Sequence, residues 1–143
     1  MKKLSICCIL ALLLVLVGCT AEGENVVPGT SDTTAQSFVP TPGSFEAFRL
    51  EDYRDTMEQF PSEESFGPIT DTEFLLEKAE DLWIRIYGKD IRDQRPYLLS
   101  YDETAGVWLI RGTFPYPDNY VGGVANMLVE NATGNVLAVW HEK

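Results

Sequence analysis

Few residues in this chain could do covalent or proton-transfer chemistry. There is one histidine, His141, and there are three cysteines, Cys7, Cys8 and Cys19. No HxxxH pair, CxxC pair, GxSxG turn or glycine-rich phosphate loop occurs. A Ser-His-Asp triad would have to recruit His141 at the end of the chain. Carboxylates are plentiful but not paired for acid–base work. Asp102-Glu103 reads as a solvated bend and Glu63-Glu64 as a polar loop, and neither has calcium-loop spacing. No catalytic residue, cofactor site or metal site emerges, and the chain reads as a non-enzyme.

What remains is recognition chemistry. The stretch Phe114-Pro115-Tyr116-Pro117-Asp118-Asn119-Tyr120 offers large rings on a proline-stiffened loop, which lowers the entropic cost of contact. Tyr116 and Tyr120 are therefore candidate partner contacts, or else rings that cap one end of a sheet. Gly122-Gly123 allows a bulge or close backbone approach, or backbone left bare for a partner. His141 is either a hydrogen-bonded strand end or a third contact.

Cys19 has a different setting. Lys2 and Lys3 precede an apolar run from Leu4 to Val17, and the small Gly18 precedes the cysteine. This is the layout of a secretory signal. The run is too short for a spanning helix, which needs about 20 apolar residues. The ending Leu16-Val17-Gly18-Cys19 resembles the lipobox of bacterial lipoproteins. That resemblance implies cleavage after residue 18, a diacylglyceryl thioether on Cys19, and attachment to the outer face of the bacterial cell membrane. Two acyl chains suffice for stable anchoring where one is marginal.

Loss of the leader leaves 125 residues, enough for one domain. Cys7 and Cys8 leave with it, so no intrachain disulfide remains, and the fold must rest on its apolar core. The net charge deepens from −11 to −13 when Lys2 and Lys3 are lost. Such a chain is repelled by nucleic acid and by anionic headgroups, so lipid rather than charge would hold it at the membrane.

The elements that position these residues follow in order. Residues 19–44 are rich in Thr, Ser, Gly and Pro and read as a disordered tether of about 25–30 Å root-mean-square span. Residues 45–65 read as an accessory helix, Phe45 to Phe60, and a loop; the helix packs on the main domain. Residues 66–143 form that domain. Thr70 and Glu73 match a capping box, with Ile69 and Phe74 as a staple. Leu75, Ala79, Leu82, Trp83 and Ile86 form one helical stripe, Asp81 and Arg85 an i, i+4 pair, and Gly88 the stop. Lys89 to Pro96 reads as a polar connection. Strands are expected over Tyr97–Tyr101, Val107–Phe114, Val121–Asn131 and Asn135–His141, with Trp108, Ile110, Gly112 and Phe114 facing the core. The fold class is α+β: a long amphipathic helix across a curved four-stranded antiparallel sheet.

Six groups of residues then carry a resemblance. They are Ile86-Tyr87-Gly88, Arg95-Pro96-Tyr97, Trp108 with Gly112-Thr113-Phe114-Pro115, Gly122-Gly123, Gly134-Asn135-Val136-Leu137, and His141-Glu142-Lys143. In this order they resemble the small bacterial immunity proteins of nuclear-transport-factor-like (NTF2-like, cystatin-like) fold found in polymorphic toxin systems. The resemblance covers about Phe66 to Lys143. It implies a cone of curved sheet on a helix, and a protein that binds and neutralises a cognate toxin without catalysis. Two departures stand out. Such proteins are pictured in the cytoplasm, whereas this chain carries an export signal. The family pattern ends in His-Gly-Lys, where this chain has Glu142. Export moves the expected target from nucleic acid to the envelope. An accessory lipoprotein modulating an envelope enzyme, or a small-molecule binder using the concave sheet face, are the alternatives.

Overall fold

The computed structural model describes residues 36–114 and 122–142. The elements run β1 (Glu46–Ala47), a 3-10 turn (Leu50–Tyr53), α1 (Arg54–Gln59), α2 (Thr72–Tyr87), a second 3-10 turn (Lys89–Gln94), β2 (Leu98–Asp102), β3 (Val107–Arg111), β4 (Ala125–Glu130) and β5 (Val136–His141). The strands form one curled, unclosed sheet in sequential order. Strands β2 to β5 are antiparallel neighbours. The sheet has five strands rather than the expected four, because Glu46 and Ala47 pair in parallel with Ser100 and Tyr101.

Helix α2 starts one residue later than its sequence suggests. Asp71 is the N-cap, accepting a hydrogen bond from the Phe74 amide at 2.7 Å, and the Thr70 hydroxyl turns instead to the Asp71 carboxylate. A carboxylate satisfies an orphan N–H and also favours the helix dipole, which a hydroxyl does less well. The helix ends at Gly88, whose φ of +93° no side chain would tolerate cheaply. Leu75, Ala79, Leu82 and Trp83 are buried against the sheet, but Ile86 lies half exposed at the far end. Arg85 does not close on Asp81. It reaches Glu64 through two hydrogen bonds of 2.9 and 3.2 Å, tying α2 to the preceding loop.

Strand β3 is the centre of the molecule. Trp108 and Ile110 face α2, within a cluster that includes Ile69, Trp83, Met127 and Val129. Val107 and Leu109, expected on the outer face, are buried too. They pack with Leu128, Ala138 and Trp140 beneath Phe48, Leu50, Tyr53 and Met57. A strand covered on both sides reads as a continuous apolar run, which is what Val-Trp-Leu-Ile is. The other two residues assigned to the core face differ. Gly112 is buried against Gln94, and Phe114 is partly exposed beyond the strand end.

The cover comes from the segment expected to be one helix over Phe45 to Phe60. It packs on the sheet as expected, but only Arg54–Gln59 is α-helical. Phe45 leaves the helical path to place its ring edge-on to Trp108 at 4.8 Å. The folded body also begins before Ser44, where the tether was expected to end. The Phe38 amide donates to Ile69, its carbonyl accepts from Asn131 Nδ2 at 2.6 Å, and Pro40 is buried. Asp102-Glu103 is no free bend. Asp102 accepts from the Leu50 amide and Glu103 from the Gly43 amide, both at 2.8 Å, so the β2–β3 turn clasps the N-terminal segment.

Candidate functional site

Three elements converge at one end of the sheet. The last turn of α2 brings Tyr87. The 3-10 turn after Gly88 buries Ile91 and thereby presents Asp90, Asp93 and Gln94. The end of β5 brings His141, and Phe114 and Gly123 complete the rim of a cavity of about 220 Å³. The sequence had read Lys89 to Pro96 as a plain polar connection. Ile91, one apolar residue amid five polar neighbours, was the signal that it folds inward.

Gln94 holds this end together. Its Oε1 accepts from the Ala125 amide at 2.8 Å, and its carbonyl accepts from the Thr113 amide at 2.7 Å. With Oε1 so engaged, the amide nitrogen faces His141 Nε2 at 3.3 Å. His141 Nδ1 lies 2.7 Å from the Glu142 carbonyl, which can only accept. The imidazole therefore carries its proton on Nδ1 and accepts from Gln94 through Nε2. Both ring nitrogens are used, and the edge of the ring meets Tyr87 at 5.5 Å between centroids. Both contacts hold the strand end in place, and among the described residues no carboxylate hydrogen-bonds the ring.

The glycines have equally concrete roles. A Cβ on Gly123 would run into the Glu142 backbone, and one on Gly122 would press on the Phe114 ring. The Glu142 amide donates to Val124 nearby, so chain end and β4 entry lie in close backbone contact. Of the candidate contacts, His141 and Gly123 share this cavity, with Gly122 beside it. Tyr116 and Tyr120 lie outside the described residues, as does Cys19.

A second cleft, of about 850 Å³, runs between α2 and the Arg95-Pro96-Tyr97 corner. Sequence reasoning missed its chief feature, the buried Glu80. Arg95 donates to both carboxylate oxygens at 2.6 Å, Arg92 donates at 3.1 Å and the Tyr97 hydroxyl at 2.8 Å. Burial opposes the Glu80 charge, but the hydrogen bonds from Arg95, Tyr97 and Arg92 outweigh it and hold the carboxyl below its usual range. Burial, then the bond to Glu80, pushes the Tyr97 hydroxyl up to about 12. These groups are locked in one charge state near neutrality, which suits a strut rather than a catalyst. A lone acid on the helix's inner side, with Arg92, Arg95 and Tyr97 following 12 to 17 residues later, was the available sequence signal. Among the described residues no group of three or more His, Cys, Asp or Glu could hold a metal ion.

Residues 76–143 match a family model described as NTF2 fold immunity protein. No curated protein and no solved structure matches the chain.

Proposed function

We propose that this chain, which carries an NTF2 fold immunity-protein domain over residues 76–143, is a lipid-anchored extracytoplasmic protein that neutralises a protein toxin by binding it. The supporting observation is the filled interior. Trp83, Trp108, Ile110, Leu75 and Met127 are completely buried between α2 and the sheet. Their rings and side chains occupy the concave space in which a fold of this shape would hold a small molecule. Recognition is then left to the outside of the cone. Tyr87 and Phe114 are each 37 % exposed beside His141 and Gly123, and Tyr116 and Tyr120 follow Phe114 closely in sequence. Large rings at a surface are the usual anchors of protein interfaces.

The lipobox-like ending at Cys19 supports a position on the outer side of the membrane, where an envelope-directed toxin would meet it. The test is a challenge assay. Cells making the full chain, and cells lacking it, receive the toxins produced by the same strain. Protection against one toxin, with a stable complex of the two purified proteins, supports the reading. Equal killing by every toxin contradicts it, and leaves the accessory-lipoprotein role on an envelope enzyme.

A further inference from the structure

The cavity at the end of the sheet has a composition that selects its occupant. Its described lining includes the aromatic residues Tyr87, Phe114 and His141 and the acids Asp90 and Asp93, and among the described residues no lysine or arginine. Neither aspartate forms an ion pair among the described residues: Arg92, beside them in sequence, is turned away to Glu80. Its volume of about 220 Å³ falls below the ~300–1,000 Å³ of typical small-molecule sites. It suits one side chain better than a metabolite. Aromatic faces with nearby carboxylates are the chemistry that receives an ammonium or guanidinium group.

We infer that this cavity is the socket for a single lysine or arginine side chain of the protein partner. The aliphatic stem lies along Tyr87 and Phe114, and the charged end meets Asp90 and Asp93. The rigid floor comes from Gln94, which fixes His141 and the Ala125 amide together, so little ordering is needed on binding. The inference rests on the partner-binding reading of the same end of the molecule, and names what that partner inserts. The strongly acidic net charge of −11 favours approach of a basic partner over the whole surface. The socket adds a place for one such charge to lodge.

Occupancy of the socket is tested without toxin. The full chain is titrated with the methylamides of Nα-acetyl-lysine and Nα-acetyl-arginine, with Nα-acetyl-norleucine methylamide as the uncharged equivalent, while ring signals of Tyr87 and His141 are followed by NMR. Saturable shifts with a cationic probe and not with norleucine are expected. They should weaken at least about tenfold in the Asp90→Asn/Asp93→Asn double variant, whose substitutions are exposed and leave the fold's melting temperature unchanged. Absence of shifts, equal shifts with norleucine, or an unaffected double variant would overturn the socket. So would shifts seen only in Lys143→Gln, which would mean that the chain's own terminal amine fills it. Cation binding without toxin protection would remove the immunity reading alone; protection retained in full by the double variant would remove only the socket.

Discussion

Glu80 and Arg95 form a two-pronged pair, both hydrogen bonds at 2.6 Å, that pins the middle of α2 to the corner leading into β2. The carboxylate is 8 % exposed, whereas the guanidinium is largely in water. The pair therefore escapes most of the desolvation cost of a fully buried bridge. Glu80→Gln removes the charge and leaves Arg92, Arg95 and Tyr97 with a weaker acceptor. A loss of about 1–2 kcal/mol is expected, read as a lower urea midpoint at unchanged slope.

The same group sets a pH dependence. Its carboxyl titrates lower in the folded chain than in the unfolded one, against an ordinary value of 4.5. As pH falls through and below that value, the unfolded chain takes up the proton first, so stability drops. Asp102 acts in the same direction: burial opposes its charge, and backbone donors from Leu50, Ala105 and Thr104 more than offset that. Urea midpoints should decline from pH 5 downward, and Glu80→Gln should flatten that decline.

Asp102→Ala should detach the N-terminal cover more than it disturbs the sheet. It frees the amides of Leu50, Thr104 and Ala105 together. The expected cost is about 1–2 kcal/mol, as for a lost helix cap. Limited proteolysis should cut faster within residues 36–60 while β3 and β4 stay protected.

Gly123→Ala should cost more than an ordinary exposed glycine replacement. Its methyl group meets the Glu142 backbone, which must move and carry the His141 contacts with it. A loss of about 1–3 kcal/mol is expected, with altered His141 ring signals.

The helix, its stop at Gly88 and the strands after Pro96 were legible because periodicity records which face is buried, and one helix against one sheet leaves a clear period. The N-terminal cover was not. Phe45 sits at helical spacing from Phe48, yet one meets Trp108 edge-on within the main core and the other lies on the far side of the sheet. Spacing cannot tell a stripe from a segment that wraps an edge. Phe38 was masked by its polar neighbours, since two backbone hydrogen bonds and one ring are enough to dock a chain that composition marks as loose. At the candidate site, His141 and Gly123 were legible as residue types, but their partners Gln94 and Tyr87 meet them only through the fold. Glu80 was hidden among 22 acidic residues, because charge alone does not reveal burial.

Anchoring has its own test. Cys19→Ser should abolish acylation and processing at residue 18. The membrane fraction of the normal chain should then carry a diacylglyceryl mass on Cys19 that the variant lacks. Identical, unmodified products from both would contradict the anchor.

The central claim is neutralisation by binding, without turnover. Titrating the purified chain against a fixed amount of the toxin it protects from measures this directly. The account predicts that residual toxin activity falls linearly to zero at one equivalent and that both proteins are recovered chemically unchanged. Complete inactivation by a small fraction of an equivalent, with the toxin cleaved or modified, would contradict it.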